Sequence, residues 1–151
     1  MKFTRHEHCI GTVKIPQAQC DEVEAALTKC AIKPALRAAP LIRNKVIESL
    51  VHSGWSGEVS VALGSQITIT SSRNNIGLCL QTGNMSRLYA DMMKLQKLFL
   101  DNSIKAGIMI VPMPDAARAL GDNIASYSRL TKELDIFRKV IHMPMLVYGF
   151  E

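Results

Sequence analysis

The spacing of apolar residues changes midway along the chain, and this change limits the folds that the sequence can adopt. Ile42, Val46 and Leu50 recur about every four residues, which is typical of an amphipathic helix. Residues 59–81 instead alternate between apolar and polar side chains in three short segments, which predicts a three-stranded meander. The near-continuous apolar run over residues 106–111 predicts a strand that is buried on both faces.

Helical and strand-like segments occur throughout the chain. The patterns predict helices over residues 16–30, 41–53, 86–100, 115–120 and 124–134, and a last strand over 144–148. This order favours an α/β (α+β) fold with a central mixed sheet flanked by helices. A length of 151 residues fits one domain, 1–151. Within it we expect an N-terminal helical segment over 1–40 and the core over 41–150.

Positive charge is concentrated in one part of the sequence. The chain has 18 Lys and Arg against 13 Asp and Glu, a net charge of +5, which favours acidic partners. No acidic residue lies between Glu24 and Glu48, and that window holds the cations Lys29, Lys33, Arg37, Arg43 and Lys45. We weigh two interpretations equally: a solvated helix face, and a contact surface for phosphates or an acidic protein.

Several common functions have no signature in the sequence. There is no Walker loop, GxGxxG or GxSxG motif. The Cys and His residues lack the paired spacing of a structural zinc site, so we expect no metal site of that type. No apolar run approaches the roughly 20 residues of a membrane span. With four cysteines that form no disulfide framework, these features predict a cytoplasmic protein.

Four motifs follow one another in the second half of the chain. They are CLQTGN at 79–84, YAD at 89–91, IKAGIMIVPM at 104–113 and PMLVYG at 144–149. In content and order they resemble the BglII/BamHI-type restriction endonucleases of the PD-(D/E)xK nuclease superfamily. In that family an EVQ-type strand leads through a small-residue turn into a helix and then into an I-x-x-G-x-x-I-V-P-M strand. The resemblance implies an αβββαβ nuclease core, DNA as a partner and a homodimer.

The sequence departs from this family at the acidic positions. The resemblance places the metal-binding Asp at Thr70, the Glu at Cys79 and the Gln at Gln81, so only Gln81 is retained. Mg²⁺ prefers oxygen ligands, and a thiol is too soft for it. No Asp or Glu occurs over residues 59–90. We therefore expect vestigial catalytic positions and no bound metal, with Mg²⁺ as cofactor only if activity remains. Glu48, on the preceding helix, is a candidate for one ligand.

Further polar residues are candidates for binding nucleic acid or a protein partner. Beside the basic window they are Arg73, Asn74, Asn84 and Arg87. On a nuclease scaffold such side chains would face backbone phosphates. The alternative for Asn74 and Asn84 is ordinary turn chemistry, and for Arg87 and Lys94 it is a solvated helix face.

Three functional hypotheses follow. The first is a catalytically impaired restriction-endonuclease-like protein that acts by binding DNA or a component of nucleic-acid defence machinery. The second is an active Mg²⁺-dependent, type II-like DNA endonuclease with a rearranged metal site that uses Glu48, Glu58 or Asp91. The third is a small phage-type inhibitor, anti-restriction or anti-CRISPR, that acts through protein–protein contact.

Overall fold

The computed structural model describes all residues, 1–151, and contains seven strands and five helices. In chain order they are β1 (Phe3–His8), α1 (Gln17–Lys29), α2 (Ala39–His52), β2 (Val59–Ser60), β3 (Thr68–Ile69), β4 (Ser71–Arg73), β5 (Ile76–Leu80), α3 (Met85–Leu100), β6 (Ala106–Pro112), α4 (Pro114–Leu120), α5 (Tyr127–Ile136) and β7 (Met145–Phe150). None of the helices is both long enough and apolar enough to cross a membrane.

A mixed sheet of five strands forms the centre of the protein, in the order β1-β7-β6-β5-β4. The three inner strands are parallel to one another, and Leu78, Ile108 and Leu146 lie side by side in register. The two edge strands, β1 and β4, run antiparallel to their neighbours. All seven residues of β6 are buried, which confirms the prediction of a strand covered on both faces.

Helices cover both faces of this sheet. On one face, Leu80 and Ile110 pack in an apolar cluster with Leu27 of α1 and Val46 of α2. The opposite face forms a second cluster in which the side chains of alternate strand residues pack against α3 and α5; its members include Cys79, Met109, Leu95 and Leu130. This arrangement confirms the predicted mixed sheet flanked by helices.

The predicted meander over residues 59–81 is divided between two sheets. β2 and β3 pair with each other in a separate two-stranded sheet, whereas β4 and β5 belong to the central sheet. The break falls at Thr70, whose Oγ1 accepts a hydrogen bond from the Leu80 N–H at 3.0 Å. The Thr70 side chain thus satisfies the Leu80 N–H, which in a continuous sheet would bind a backbone carbonyl of the neighbouring strand. Leu63, an apolar residue of the predicted meander, is fully exposed in the turn.

The N-terminal segment differs from the expected helical structure. Residues 1–40 contain α1 as predicted, but they begin with β1, which pairs with β7 along its whole length. Only His8 of this strand is buried, and its other side chains remain at least partly exposed. An edge strand of this kind lacks the apolar alternation that identifies a strand in a sequence, since much of its surface stays in water.

The predicted helix boundaries agree with the structure to within a few residues. The largest difference is at α5, which begins at Tyr127 rather than at residue 124. Gly54 follows α2 with a φ of 93°, in the left-handed region expected for a glycine that ends a helix.

Candidate functional site

A cleft of about 560 Å³ opens beside the C-terminal end of β5. Its walls are the first turn of α2, the segment around β3, the residues that follow β5, and one face of α3. The polar side chains that line it are Arg43, Asn44, Glu58, Thr68, Thr70, Gln81, Thr82, Arg87, Asp91 and Lys94. The cleft therefore brings together residues that are up to 55 positions apart, from 39 to 94.

A buried carboxylate from α3 lies at the base of this arrangement. Asp91 is only 7% exposed. Its Oδ2 accepts a hydrogen bond from Nε2 of Gln81 at 2.6 Å, and its Oδ1 lies 2.9 Å from Nζ of Lys94. Asp91 and Lys94 are three residues apart on one helix, a spacing that places both side chains on the same face. Both carboxylate oxygens are thus already bound by donors of the protein.

The guanidinium of Arg43 occupies the other side of the cleft. Its Nη1 donates a hydrogen bond to the backbone carbonyl of Leu80 at 2.6 Å. Its Nη2 lies 3.7 Å from the carboxylate of Glu58, which is largely exposed. The Arg43 side chain is 33% exposed, so it is held partly inside the wall and partly open to the cleft.

Thr70 and Cys79 lie next to each other, but only Thr70 lines the cleft. The Cys79 side chain is buried in the apolar cluster beneath α3. Burial raises the pKa of its thiol far above the ordinary value, and the negative charge of Asp91 raises it further. A hydrogen bond from the Thr70 backbone lowers the pKa of the thiol, but by less than burial and Asp91 raise it. Cys79 is therefore a neutral thiol and offers no anionic ligand.

Glu48 lies outside the cleft, contrary to its proposed contribution to the site. Glu48 is exposed on α2. Together with Lys29, Lys45 and His52 it lines a separate cavity. Lys45 binds it at 2.9 Å, and this hydrogen bond lowers the pKa of Glu48. The reason is helical geometry: Arg43 and Glu48 are five residues apart on α2, so their side chains point in different directions. Lys29 and Lys45 accordingly belong to that second surface.

Two further candidates have structural partners away from the cleft. Arg73 lies beneath Gly54, and its Nη1 is 3.2 Å from the carboxylate of Glu22 on α1. Asn74 has a φ of 48° in the exposed turn between β4 and β5, at the opposite end of β5 from Gln81. These placements agree with the turn interpretation of Asn74.

The N-terminus of α3 forms one rim of the cleft. Asn84 caps this helix, since its side chain accepts a hydrogen bond from the backbone N–H of Arg87. The exposed Arg87 side chain lines the cleft itself. The exposed residues Lys33 and Arg37 lie in the connection that leads into Ala39, the first residue of α2 and part of the cleft wall.

Lys94 is the functional candidate that the sequence interpretation undervalued. The sequence favours a solvated helix face over a contact for Lys94, whereas its side chain is 24% exposed and contributes a positive charge to the cleft wall. The signal was present: Arg87, Asp91 and Lys94 recur at helical spacing, so one face of the predicted helix carries all three charges.

Comparison with known proteins identifies the family. The model of the family "Restriction endonuclease BglII/BglIII" matches residues 3–150. The chain belongs to this family.

Two solved structures of BglII have the same fold. The structure of BglII complexed with a DNA 16-mer matches with a TM-score of 0.85 and 15% identity, over 100% of this chain and 78% of that one. The structure of free BglII matches with a TM-score of 0.75 and 14% identity, over 100% of this chain and 80% of that one. No curated protein matches the sequence.

The cleft of this BglII/BglIII family member does not suit the metal that the family normally requires, which is Mg²⁺. No group of three or more His, Cys, Asp and Glu side chains is arranged to hold a metal ion. The two carboxylates of the cleft, Glu58 and Asp91, each lie beside a cation of the protein. With Arg43, Arg87 and Lys94 against these two acids, the charged side chains of the cleft have a net charge of +1. A hard dication is repelled by such an environment.

Proposed function

We propose that this protein is a catalytically impaired member of the restriction endonuclease family that acts by binding DNA without cutting it. The observation that carries the proposal is the composition of the cleft. Three cations line it, and its two carboxylates are already paired with Arg43 and Lys94. Hydrolysis of a phosphodiester by a metal ion needs a site that holds the ion and activates water. Binding of a phosphate backbone needs only cations and hydrogen-bond donors.

The DNA-binding surface in this proposal is the cleft together with its rims. Arg43, Arg87 and Lys94 supply charge inside it, and the proposal adds the exposed cations Lys33 and Arg37 of the connection before α2. The structural match to BglII in complex with DNA supports the proposal. Lys29 and Lys45 lie on the second surface, away from the cleft. We expect them to contribute less to DNA binding, since Glu48 binds Lys45.

A salt titration of DNA binding tests this function directly. We expect a fluorescent duplex to bind with an affinity that falls steeply as salt rises, because counterions are released from each neutralised phosphate. The variant with Lys33→Gln and Arg37→Gln should bind more weakly and show a shallower salt dependence. Its matched control is Lys132→Gln with Lys139→Gln, which removes two charges elsewhere on the surface. Absence of binding by the wild type would overturn the proposal.

The second arm of the test is DNA cleavage. We expect supercoiled plasmid to remain intact with Mg²⁺ and with Mn²⁺. One observation favours the active alternative, since Glu58 and Asp91 both line the cleft and would supply its carboxylates. Metal-dependent nicking that disappears in Glu58→Gln or Asp91→Asn would establish that alternative in place of ours. Glu48→Gln serves as the control, because Glu48 lies on the other surface.

The proposal also includes a biological role and an oligomeric state. A role in nucleic-acid defence and a homodimer remain predictions from the family resemblance. Light scattering on the purified protein, alone and with duplex DNA, measures the oligomeric state. A monomer in both conditions would contradict the predicted homodimer and would leave DNA binding to be judged by the titration.

A further inference from the structure

The guanidinium of Arg43 lies where the main chain of β5 ends in the cleft. Nη1 donates to the Leu80 carbonyl at 2.6 Å, and Leu80 stands between the two positions that the family resemblance assigns to the Glu and Gln of the motif, Cys79 and Gln81. The neighbouring Glu58 carboxylate lies 3.7 Å from Nη2. A permanent cation of the protein is therefore located among the oxygen atoms of the cleft.

Thr70 and Asp91 of the cleft also have hydrogen-bond partners. Thr70 Oγ1 accepts a hydrogen bond from the backbone N–H of Leu80. Both oxygens of Asp91 are bound, one by Gln81 and one by Lys94. A hard cation that bound the Leu80 carbonyl, Glu58 or Asp91 would lie beside a guanidinium or an ammonium group that already contacts the same residue. The donor set thus disagrees with divalent metal binding and agrees with a cleft that carries its own positive charge.

We infer that Arg43, supported by Lys94, takes the place of the metal ion as the positive charge that receives a DNA phosphate, so that DNA binding is independent of divalent metal. The guanidinium has five N–H donors in a planar fork, and its two contacts leave donors free for a phosphate oxygen. Arg is suited to this task because its fork matches phosphate geometry and its charge persists at every physiological pH. The inference rests on the proposed DNA-binding function and adds the residue and the metal independence.

Fluorescence anisotropy with a short labelled duplex, at constant ionic strength, tests the inference. We expect equal dissociation constants in EDTA and in Mg²⁺. Arg43→Gln should weaken binding about tenfold or more, since a hydrogen bond to a charged group is worth about 1.5–3 kcal/mol. Arg43→Lys should give an intermediate affinity, because it keeps the charge and loses the fork. The control is Arg118→Gln, which removes an exposed arginine of α4 outside the cleft.

The outcomes separate the inference from the function on which it rests. If the wild type binds no duplex in either buffer, the proposed function fails. If it binds only with Mg²⁺, or if Arg43→Gln binds as tightly as the wild type, the inference fails and DNA binding stands. Circular dichroism and thermal unfolding show whether each variant is folded. If Arg43→Gln does not fold, Arg43→Lys carries the test, and an affinity equal to that of the wild type would overturn the role of the fork.

Discussion

Nε2 of Gln81 donates a hydrogen bond to Oδ2 of Asp91 at 2.6 Å. Gln81, the one residue retained of the family's Asp, Glu and Gln positions, is therefore bound to a carboxylate of α3. Oε1 of the Gln81 amide accepts a hydrogen bond from the Gly83 N–H at 2.8 Å, so Gln81 also fixes the turn into α3. Lys94 completes the arrangement from the same helix as Asp91. Gln81 thus links the end of β5 to α3, a structural role that requires no metal.

This network predicts a loss of stability in Asp91→Asn. The neutral amide cannot accept hydrogen bonds at both positions, so either Gln81 or Lys94 loses its partner. We expect the free energy of unfolding to fall by about 1–2 kcal/mol, which is typical when a largely buried polar group loses its partner. Urea unfolding followed by circular dichroism measures it. The matched control is Asp115→Asn, which removes an exposed ion pair with Arg118 and should cost about 0.5 kcal/mol or less. Equal losses in the two variants would contradict a structural network.

A strand could be predicted from the sequence only where its pattern of apolar residues is determined by neighbouring positions in the chain. β6 was predicted correctly because every one of its residues is buried and its apolar run is therefore unbroken. β1 was missed because it is an edge strand whose sequence is mostly polar. The division of the meander was missed because it depends on the hydrogen bond between Thr70 and Leu80, which are ten residues apart.

The site was predictable only in part for the same reason. The motif order predicts that Gln81 and Thr70 lie at one location, and both residues line the cleft. Arg43 was identified as one of five cations in a basic window, with nothing to distinguish it from Lys45. Its contact with Leu80 spans 37 residues and depends on how α2 packs against the sheet. A linear pattern contains no record of such a contact.

A second prediction concerns pH, through a buried histidine of β1. Nε2 of His8 lies 2.6 Å from the Ile141 carbonyl. Burial lowers the pKa of His8 below its ordinary value of 6.5, and the charges of Arg138 and His6 lower it further, while the carbonyl and Asp135 act in the opposite direction. The unfolded chain therefore binds the proton more readily. Stability should be highest above about pH 6.5 and should fall as pH decreases towards the folded-state pKa.

Unfolding experiments across this range test the assignment to His8. We expect His8→Gln to lose most of the pH dependence between about pH 6.5 and 5, because glutamine can donate to the same carbonyl and does not titrate. His52→Gln is the control, since His52 is exposed at the end of α2. A pH dependence that persists unchanged in His8→Gln would show that another group is responsible.

A third prediction concerns Gly149, the last residue of the PMLVYG motif. A Cβ at Gly149 would lie 2.6 Å from Sδ of Met113 and 2.6 Å from the ring of Tyr127, and an aromatic ring packed against a strand cannot easily move. Gly149→Ala should therefore lower the free energy of unfolding by about 1–3 kcal/mol, the usual cost of overpacking a core. Gly57→Ala is the control, because nothing lies within 4 Å of its Cβ position. Thermal unfolding of both variants compares them, and a Gly149→Ala protein as stable as Gly57→Ala would contradict this account.

A fourth prediction is that metal binding can be restored to the cleft, and that Arg43 opposes it. Thr70→Asp with Cys79→Glu supplies carboxylates at the two positions that the family resemblance assigns to the metal ligands. The structure brings these positions together, although Cys79 faces the core, so the variant should also be less stable. We expect isothermal titration calorimetry to detect Mn²⁺ binding in the double variant and none in the wild type.

Removal of the guanidinium should then strengthen that site. Two unit charges about 4 Å apart repel one another by about 1 kcal/mol even in bulk water, and Mn²⁺ carries two charges, so Arg43→Gln on this background should tighten Mn²⁺ binding by about tenfold or more. Arg118→Gln on the same background should change nothing, since Arg118 lies on α4 outside the cleft. Equal Mn²⁺ affinity with and without Arg43 would contradict the idea that its charge excludes the ion. No uptake even in the triple variant would contradict the placement of Thr70 and Cys79 as the former ligand positions, because the guanidinium would no longer be present to prevent binding.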